Sequence, residues 1–186
     1  MSFLRKRERG EQVVKEAVFE EMSVQPCLET VDLYYKLVLY HRAWFEDEQE
    51  EITRKIKNLS TKACLILQSL QDDIRLFWSR RFVVCLVYCY LGLGMRGKFI
   101  QGYEYSKKNL TKSELLLSYY DTDDAELRTQ MFFNIAKSRL FHLTGYRLAT
   151  LQFIDKAMEI ATIGGFTAEL NAFKETKLQV QNEYKQ

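Results

Sequence analysis

The chain has 186 residues, 47% hydrophobic and 13% aromatic, with 27 basic and 25 acidic side chains for a formal charge of +2. Such a chain buries a sizeable core in one or two domains, which excludes wholesale disorder, and its balanced charge demands neither a nucleic acid nor a membrane surface. A single proline, Pro26, and eight glycines leave long stretches of Leu, Lys, Glu, Gln and Ala uninterrupted, so the expected class is all-α.

The start, Met1 to Arg9, is charged where a secretion signal carries its apolar stretch. The longest apolar run, Phe82 to Met95, lies between Arg81 and Arg96 and falls short of the ~20 residues that span a bilayer. The expected location is cytoplasmic.

In chain order, Val13, Val14, Ala17, Val18 and Met22 form an apolar stripe that predicts a helix from Glu11 to Val24, stopped by Pro26. A second helix is predicted from Glu29 to Phe45, with Leu33, Tyr34, Leu37, Val38, His41 and Phe45 on one face. His41 on that stripe reads as a core histidine. The acidic run Glu46 to Glu51 suits the first turn of a third helix, whose stripe is Ile52, Ile56, Leu59, Ala63, Ile66 and Leu70. Ile74 to Gly92 is apolar on most faces and predicts an interior helix. Lys98 to Tyr119 is expected as its partner across a turn at Gly97. After the polar break Asp121 to Asp124, Ala125 to Leu143 and Tyr146 to Ile163 predict a second helix pair, ended by Gly164 and Gly165. Thr167 to Tyr184 would close the chain. The expected division is an N-terminal helical bundle, residues 1–72, and a repeat region, residues 73–186.

Gly97 with Phe99, Gly102 and Ser106, and Gly145 with Tyr146, Ala149, Phe153 and Ala157, fit the small and aromatic positions of tetratricopeptide repeats. The two turn glycines stand 48 residues apart instead of ~34, so the repeats are degenerate or one helix is extended.

Gly92-Leu-Gly94-Met-Arg-Gly97 matches Gly-x-Gly-x-x-Gly, with Glu114 near the position of a ribose-binding acid. A phosphate cradle of this kind needs a parallel sheet behind it, and no βαβ pattern is present. The glycines read instead as close packing and a turn. Cys27, Cys64, Cys85 and Cys89 lack Cys-x-x-Cys spacing, and His41 and His142 stand far apart, so reduced core thiols are expected and no metal ligands. Nucleophile elbows, Walker loops and His-Glu-x-x-His are missing. Four charge clusters remain: Arg5 to Arg9, Glu46 to Glu51, Arg75 with Arg80 and Arg81, and Asp121 to Glu126. Each reads as a solvated helix end. The basic ones would matter only if the protein bound nucleic acid, and the first is interleaved with Glu8 and Glu11.

Three stretches, in this order, carry a family resemblance: Leu33-Tyr34-Tyr35-Lys36-Leu37 through Tyr40-His41-Arg42; Lys98-Phe99-Ile100 through Tyr103, Tyr105 and Lys107-Lys108; and Asp123-Asp124-Ala125-Glu126 through Phe132-Phe133 and Ile135-Ala136. Together they resemble the N-terminal half of the Rap family, bacterial response-regulator aspartyl-phosphate phosphatases that sense secreted peptides. The likeness covers most of the chain and implies a helical bundle that docks on the receiver domain of a response regulator, in signalling of the sporulation or competence type. Glu29 falls where the family has a catalytic glutamine. A glutamine orients water without adding charge, whereas a carboxylate could act as a base yet repels an anionic phosphoryl group. The resemblance thus implies inhibition by occupancy or by phosphate hydrolysis, with Glu29 nearest the water. Tyr40, Asp32, Asp123 and Glu126 would be partner contacts. The Mg²⁺ would belong to the partner, the protein having no cofactor of its own. Most peptide-sensing repeats of the family lie beyond the matched region, and self-association would cover an open last repeat. The alternative reading is a scaffold that binds a peptide or partner helix in a groove, with Asn134, Arg139 and Tyr105 as candidate lining.

Overall fold

A computed structural model describes residues 27–185. The predicted helix Glu11 to Val24 and the cluster Arg5 to Arg9 lie outside the described residues.

The protein is all-α. Its helices are α1 (Leu28–Arg42), α2 (Gln49–Leu67), α3 (Asp72–Leu91), α4 (Lys107–Tyr119), α5 (Leu127–Leu143), α6 (Arg147–Ile163) and α7 (Thr167–Glu183), with a short 3₁₀ turn at Met95–Gly97. Six of the predicted helices are therefore present, with small shifts at their ends. α1, α2 and the adjoining face of α3 form one unit around Val31, Leu37, Val38, Phe45, Ile52, Ile56 and Leu67. α3 with α4 and α5 with α6 are the two helix pairs, and α7 packs on α6 and on the 3₁₀ turn.

α3 explains why its sequence is apolar on most faces. Phe82, Cys85 and Cys89, at spacings of three and four, enter the first core. Val83, Val84, Val87, Tyr88 and Leu91 enter the second, with Phe99, Met131, Phe133, Ile135, Ile154 and Phe173. The division expected between residues 72 and 73 thus falls at the start of a helix that serves both cores.

The segment 98–106 is a correction. A helix from Lys98 was expected, but only Lys107–Tyr119 is helical. Gly92 caps α3 in the left-handed conformation (φ 64°), and the chain folds back so that Leu93 bridges Phe99. The Gly94 N–H donates to the Lys98 carbonyl at 2.8 Å, and the Ile100 N–H to that of Gly92 at 3.0 Å. The Tyr103 ring lies where a Cβ on Gly92 would be, and its hydroxyl donates to the Cys89 carbonyl at 2.6 Å. Only at Ser106, whose hydroxyl accepts from the Asn109 N–H, does the next helix begin. This connector accounts for the wide spacing of the two turn glycines. At Gly145 (φ 83°) the expected tight turn does form, and α5 and α6 make the most extensive helix contact among the described residues.

α7 covers the last pair with Phe173, Thr176 and Val180 and turns Asn171, Lys174, Glu175, Leu178 and Asn182 outward. Cys85 and Cys89 are core thiols as expected, but Cys64 is exposed. His41 is buried, which pushes its pKa down, with Lys55 adding to the effect. Arg80 departs from the expected solvated cluster: it is 5% exposed. No helix among the described residues is long and apolar enough to cross a membrane.

Candidate contact site

α1 buries Val31, Tyr34, Leu37, Val38 and His41 and turns Glu29, Asp32, Lys36 and Tyr40 away from the core. Their spacing of three and four residues draws them into one line about 16 Å long. Asp32 pairs with Lys36 at 2.6 Å. Glu29 stands exposed in the first turn, where hydrogen bonds from the Cys27 side chain and its own backbone N–H hold its carboxyl below the usual range. It is therefore an ionised acceptor. The Tyr40 ring meets that of His41 edge to face at 5.5 Å.

A second cluster forms where α1, α3 and the start of α5 meet. Tyr35 stands edge-on to Trp78 (5.7 Å) and Phe82 (5.6 Å). The Arg81 guanidinium lies over Phe77 at 4.2 Å and within 6 Å of the Tyr35 and Trp78 rings, at 5.8 and 5.9 Å. It donates to Glu126 at 2.7 Å, and the other Glu126 oxygen accepts from Thr129 at 2.8 Å. Burial pulls the Glu126 carboxyl upward, but these hydrogen bonds outweigh it and leave it below the usual carboxylate range. Burial pushes the Tyr35 hydroxyl up to about 12. One residue back, Arg80 reaches Asp124.

The residues predicted to make contact are therefore brought together only in part. Glu29, Asp32 and Tyr40 share α1. Glu126 reaches that helix through Arg81 and Tyr35, while Tyr35 lies about 120° around α1 from Glu29. Asp123 is exposed in the loop before α5, with its carbonyl accepting from Gln130. The hollow lined by Tyr35, Arg81, Arg128 and Phe132 measures about 40 Å³, too small for a cofactor.

Arg139 does not line an open groove, and Asn134 is half-buried. The Asn134 amide donates to Gln130 of its own helix. Arg139 is 4% exposed and donates to the carbonyls of Leu91 and Ile100, each at 3.1 Å. Its guanidinium also meets His142 Nδ1 at 3.0 Å and lies over Phe99 at 4.8 Å. Arg42 approaches the same connector from α1 and donates to the carbonyls of Leu93 and Gly94 at 3.1 Å. Tyr105, exposed, reaches the Leu143 carbonyl at 3.5 Å.

These contacts decide the Gly-x-Gly-x-x-Gly motif. A phosphate cradle needs unspent N–H groups. Here the N–H groups of Leu93, Gly94, Gly97, Lys98 and Ile100 all donate to backbone carbonyls, and the loop turns its own carbonyls toward two guanidiniums. Its polarity suits cations.

Sequence reasoning missed Arg42, Arg81 and Arg139 as organising residues. The signal was a basic side chain at core spacing: Arg42 follows Val38 by four residues, and Arg139 follows Ile135 by four. Among the described residues no group of three or more His, Cys, Asp or Glu could hold a metal.

Compared with family models, curated proteins and solved structures, the chain shows no significant match.

Proposed function

We propose that the protein regulates by contact, with α1 and the Arg81–Glu126 edge docking on the receiver domain of a bacterial response regulator and inhibiting it by occupancy. One observation carries this reading: α1 turns Glu29, Asp32, Lys36 and Tyr40 outward in a single line while its opposite side fills the core. A rigid helix face with charges of both signs and an aromatic suits a protein partner, where such groups set register and on-rate. The resemblance to Rap regulators supplies the partner class, and a cytoplasmic location follows from that partner.

Occupancy is favoured over hydrolysis by the state of Glu29. Ionised and exposed, it accepts hydrogen bonds but donates none, and it sets a negative charge beside a phosphoryl group that is already anionic. A carboxylate held below its usual pKa is also a weak base at neutral pH. Any Mg²⁺ in such a complex is the partner's.

The test is a pull-down of phosphorylated and unphosphorylated receivers, scored separately, with phosphate turnover followed on those that bind. Binding that Tyr40→Ala and Asp32→Lys weaken about tenfold, with no added turnover, is the expected result. Turnover that Glu29→Ala abolishes with binding kept would replace occupancy by catalysis. Retention of no receiver would remove the reading.

A further inference from the structure

A groove on the side of the molecule away from Arg81 points to a different partner and does not depend on the reading above. It runs between α4 and α6 with α5 as its floor and encloses about 630 Å³, in the range that accommodates a ligand or several side chains. Leu110 and Leu117 of α4, Leu140 and Phe141 of α5, and Phe153 of α6 make the apolar floor. Phe141 and Phe153 are stacked, with centroids 5.4 Å apart and planes within 9°. Arg128, beside Arg81, and Lys137, in the groove, are nine residues apart on α5 and so project about 180° from one another. The two surfaces are separate.

The rim is cationic. Lys107 and Lys137 line it, the Lys137 ammonium 5.9 Å from the centroid of the Phe153 ring, and Lys156 stands 5.2 Å from that ring in the adjoining hollow, which Asp155 and Glu159 share. Glu114 is the one acidic residue in the lining. Asp155, next to Lys156, is tied to Lys177 at 2.6 Å. Exposed Tyr146, edge-on to Phe141 at 6.0 Å, extends the aromatic surface at the mouth.

We infer that this groove binds an acidic peptide segment, which sets apolar side chains on the Leu110, Phe141 and Phe153 floor and its carboxylates on Lys107, Lys137 and Lys156. Charge complementarity selects that occupant. A second copy related by a two-fold axis would bring lysine rim against lysine rim. A small amphiphile is held by enclosure of most of its surface, and this groove is open along its length.

The experiment pans a random peptide library against the full chain, then measures the selected peptides by fluorescence anisotropy on wild type, on Lys107→Glu/Lys137→Glu and on Phe153→Ala. Circular dichroism checks that each variant folds. The expected peptides carry carboxylates flanking leucine or aromatic residues. They should lose about tenfold in affinity on the charge-reversed variant and weaken as salt is added. A synthetic peptide with every carboxylate replaced by lysine should fail on wild type and regain binding on the reversed variant. Neutral or basic selected peptides, equal binding to both proteins, or no enrichment would overturn the inference. So would displacement of the peptides by oligo-dT, saturable binding of dodecanoate in their place, or a dimer that Phe153→Ala dissociates.

Discussion

Two pairs of arginines join the two cores, one at the C-terminal end of α3 and one at its middle, and they do so in different ways. At the C-terminal end Arg42 and Arg139, 6% and 4% exposed, converge from α1 and α5 on the 91–100 connector and take four backbone carbonyls. At the middle of α3 Arg80 and Arg81 take the carboxylates of Asp124 and Glu126, and both leave Nε without a hydrogen-bond partner. A guanidinium on backbone carbonyls fixes a chain path, since those partners cannot swing away without moving the main chain. A guanidinium on a flexible carboxylate at the surface can exchange that partner for another. The Arg42 and Arg139 pair therefore builds the fold, while Arg80 is as buried as they are and only Arg81, a third exposed, borders a contact surface.

The largest effect that separates them is on stability. Arg139→Met leaves the carbonyls of Leu91 and Ile100 buried without a donor, at a cost of about 3 kcal/mol, or roughly 10 °C in Tm. Arg42→Met, which strips the Leu93 carbonyl and leaves that of Gly94 with the Gly97 N–H alone, should cost somewhat less; calorimetry of the two variants at low and high salt should show losses that salt leaves unchanged. Arg81→Met removes a partly exposed ion pair and a cation over aromatic rings, with an expected cost of about 1 kcal/mol that shrinks as salt is added. If Arg81→Met destabilised as much as Arg139→Met, the distinction between building and bordering would fail.

The smallest effect is a pH dependence. Arg139 can only donate, so His142 Nδ1 accepts from it and the protonated Nε2 donates to Glu183 at 2.8 Å. Burial lowers the His142 pKa, Arg139 lowers it further and Glu183 opposes both, while Phe99 and Tyr184 pack beside the ring. The unfolded chain thus takes up the proton first, near pH 6.5. Stability is full above that value and is lost as pH falls from it toward the folded pKa. Glu126 and Glu183, where burial raises the carboxyl but hydrogen bonds lower it further, lose their stabilising contribution only below about pH 4.5. Between about pH 7 and 5 the melting temperature should therefore decline, and His142→Gln should flatten the decline. His41, whose pKa is lowered too, supplies what remains. An unchanged slope in His142→Gln would show that the His142 contact carries no linkage.

Much of the helical order was legible because a 3.6-residue period and terminal glycines are local properties. Leu33 to Phe45 and Ile52 to Leu70 announced α1 and α2, and Gly145 with Gly164 bounded α6. Lys98 to Ser106 misled, since its residues tolerate a helix and only Tyr103 packing on Gly92, with the backbone bridge at Leu93, pulls them out of one. Of the predicted contact residues, Glu29, Asp32 and Tyr40 were readable as one helix face. The link from Glu126 to Arg81 spans 45 residues, and the groove under Phe141 and Phe153 needs three helices in place, so neither has a local signature.

By itself the sequence determined an all-α chain and the span of most helices. Those outcomes depend on backbone preferences and apolar periodicity within a few turns. Tertiary structure alone decided that α3 serves two cores, that four arginines divide into two kinds, and that opposite sides of α5 present different surfaces. Each of these depends on which distant groups meet, and the energy of a buried guanidinium or an aromatic floor exists only once its partners have been brought there.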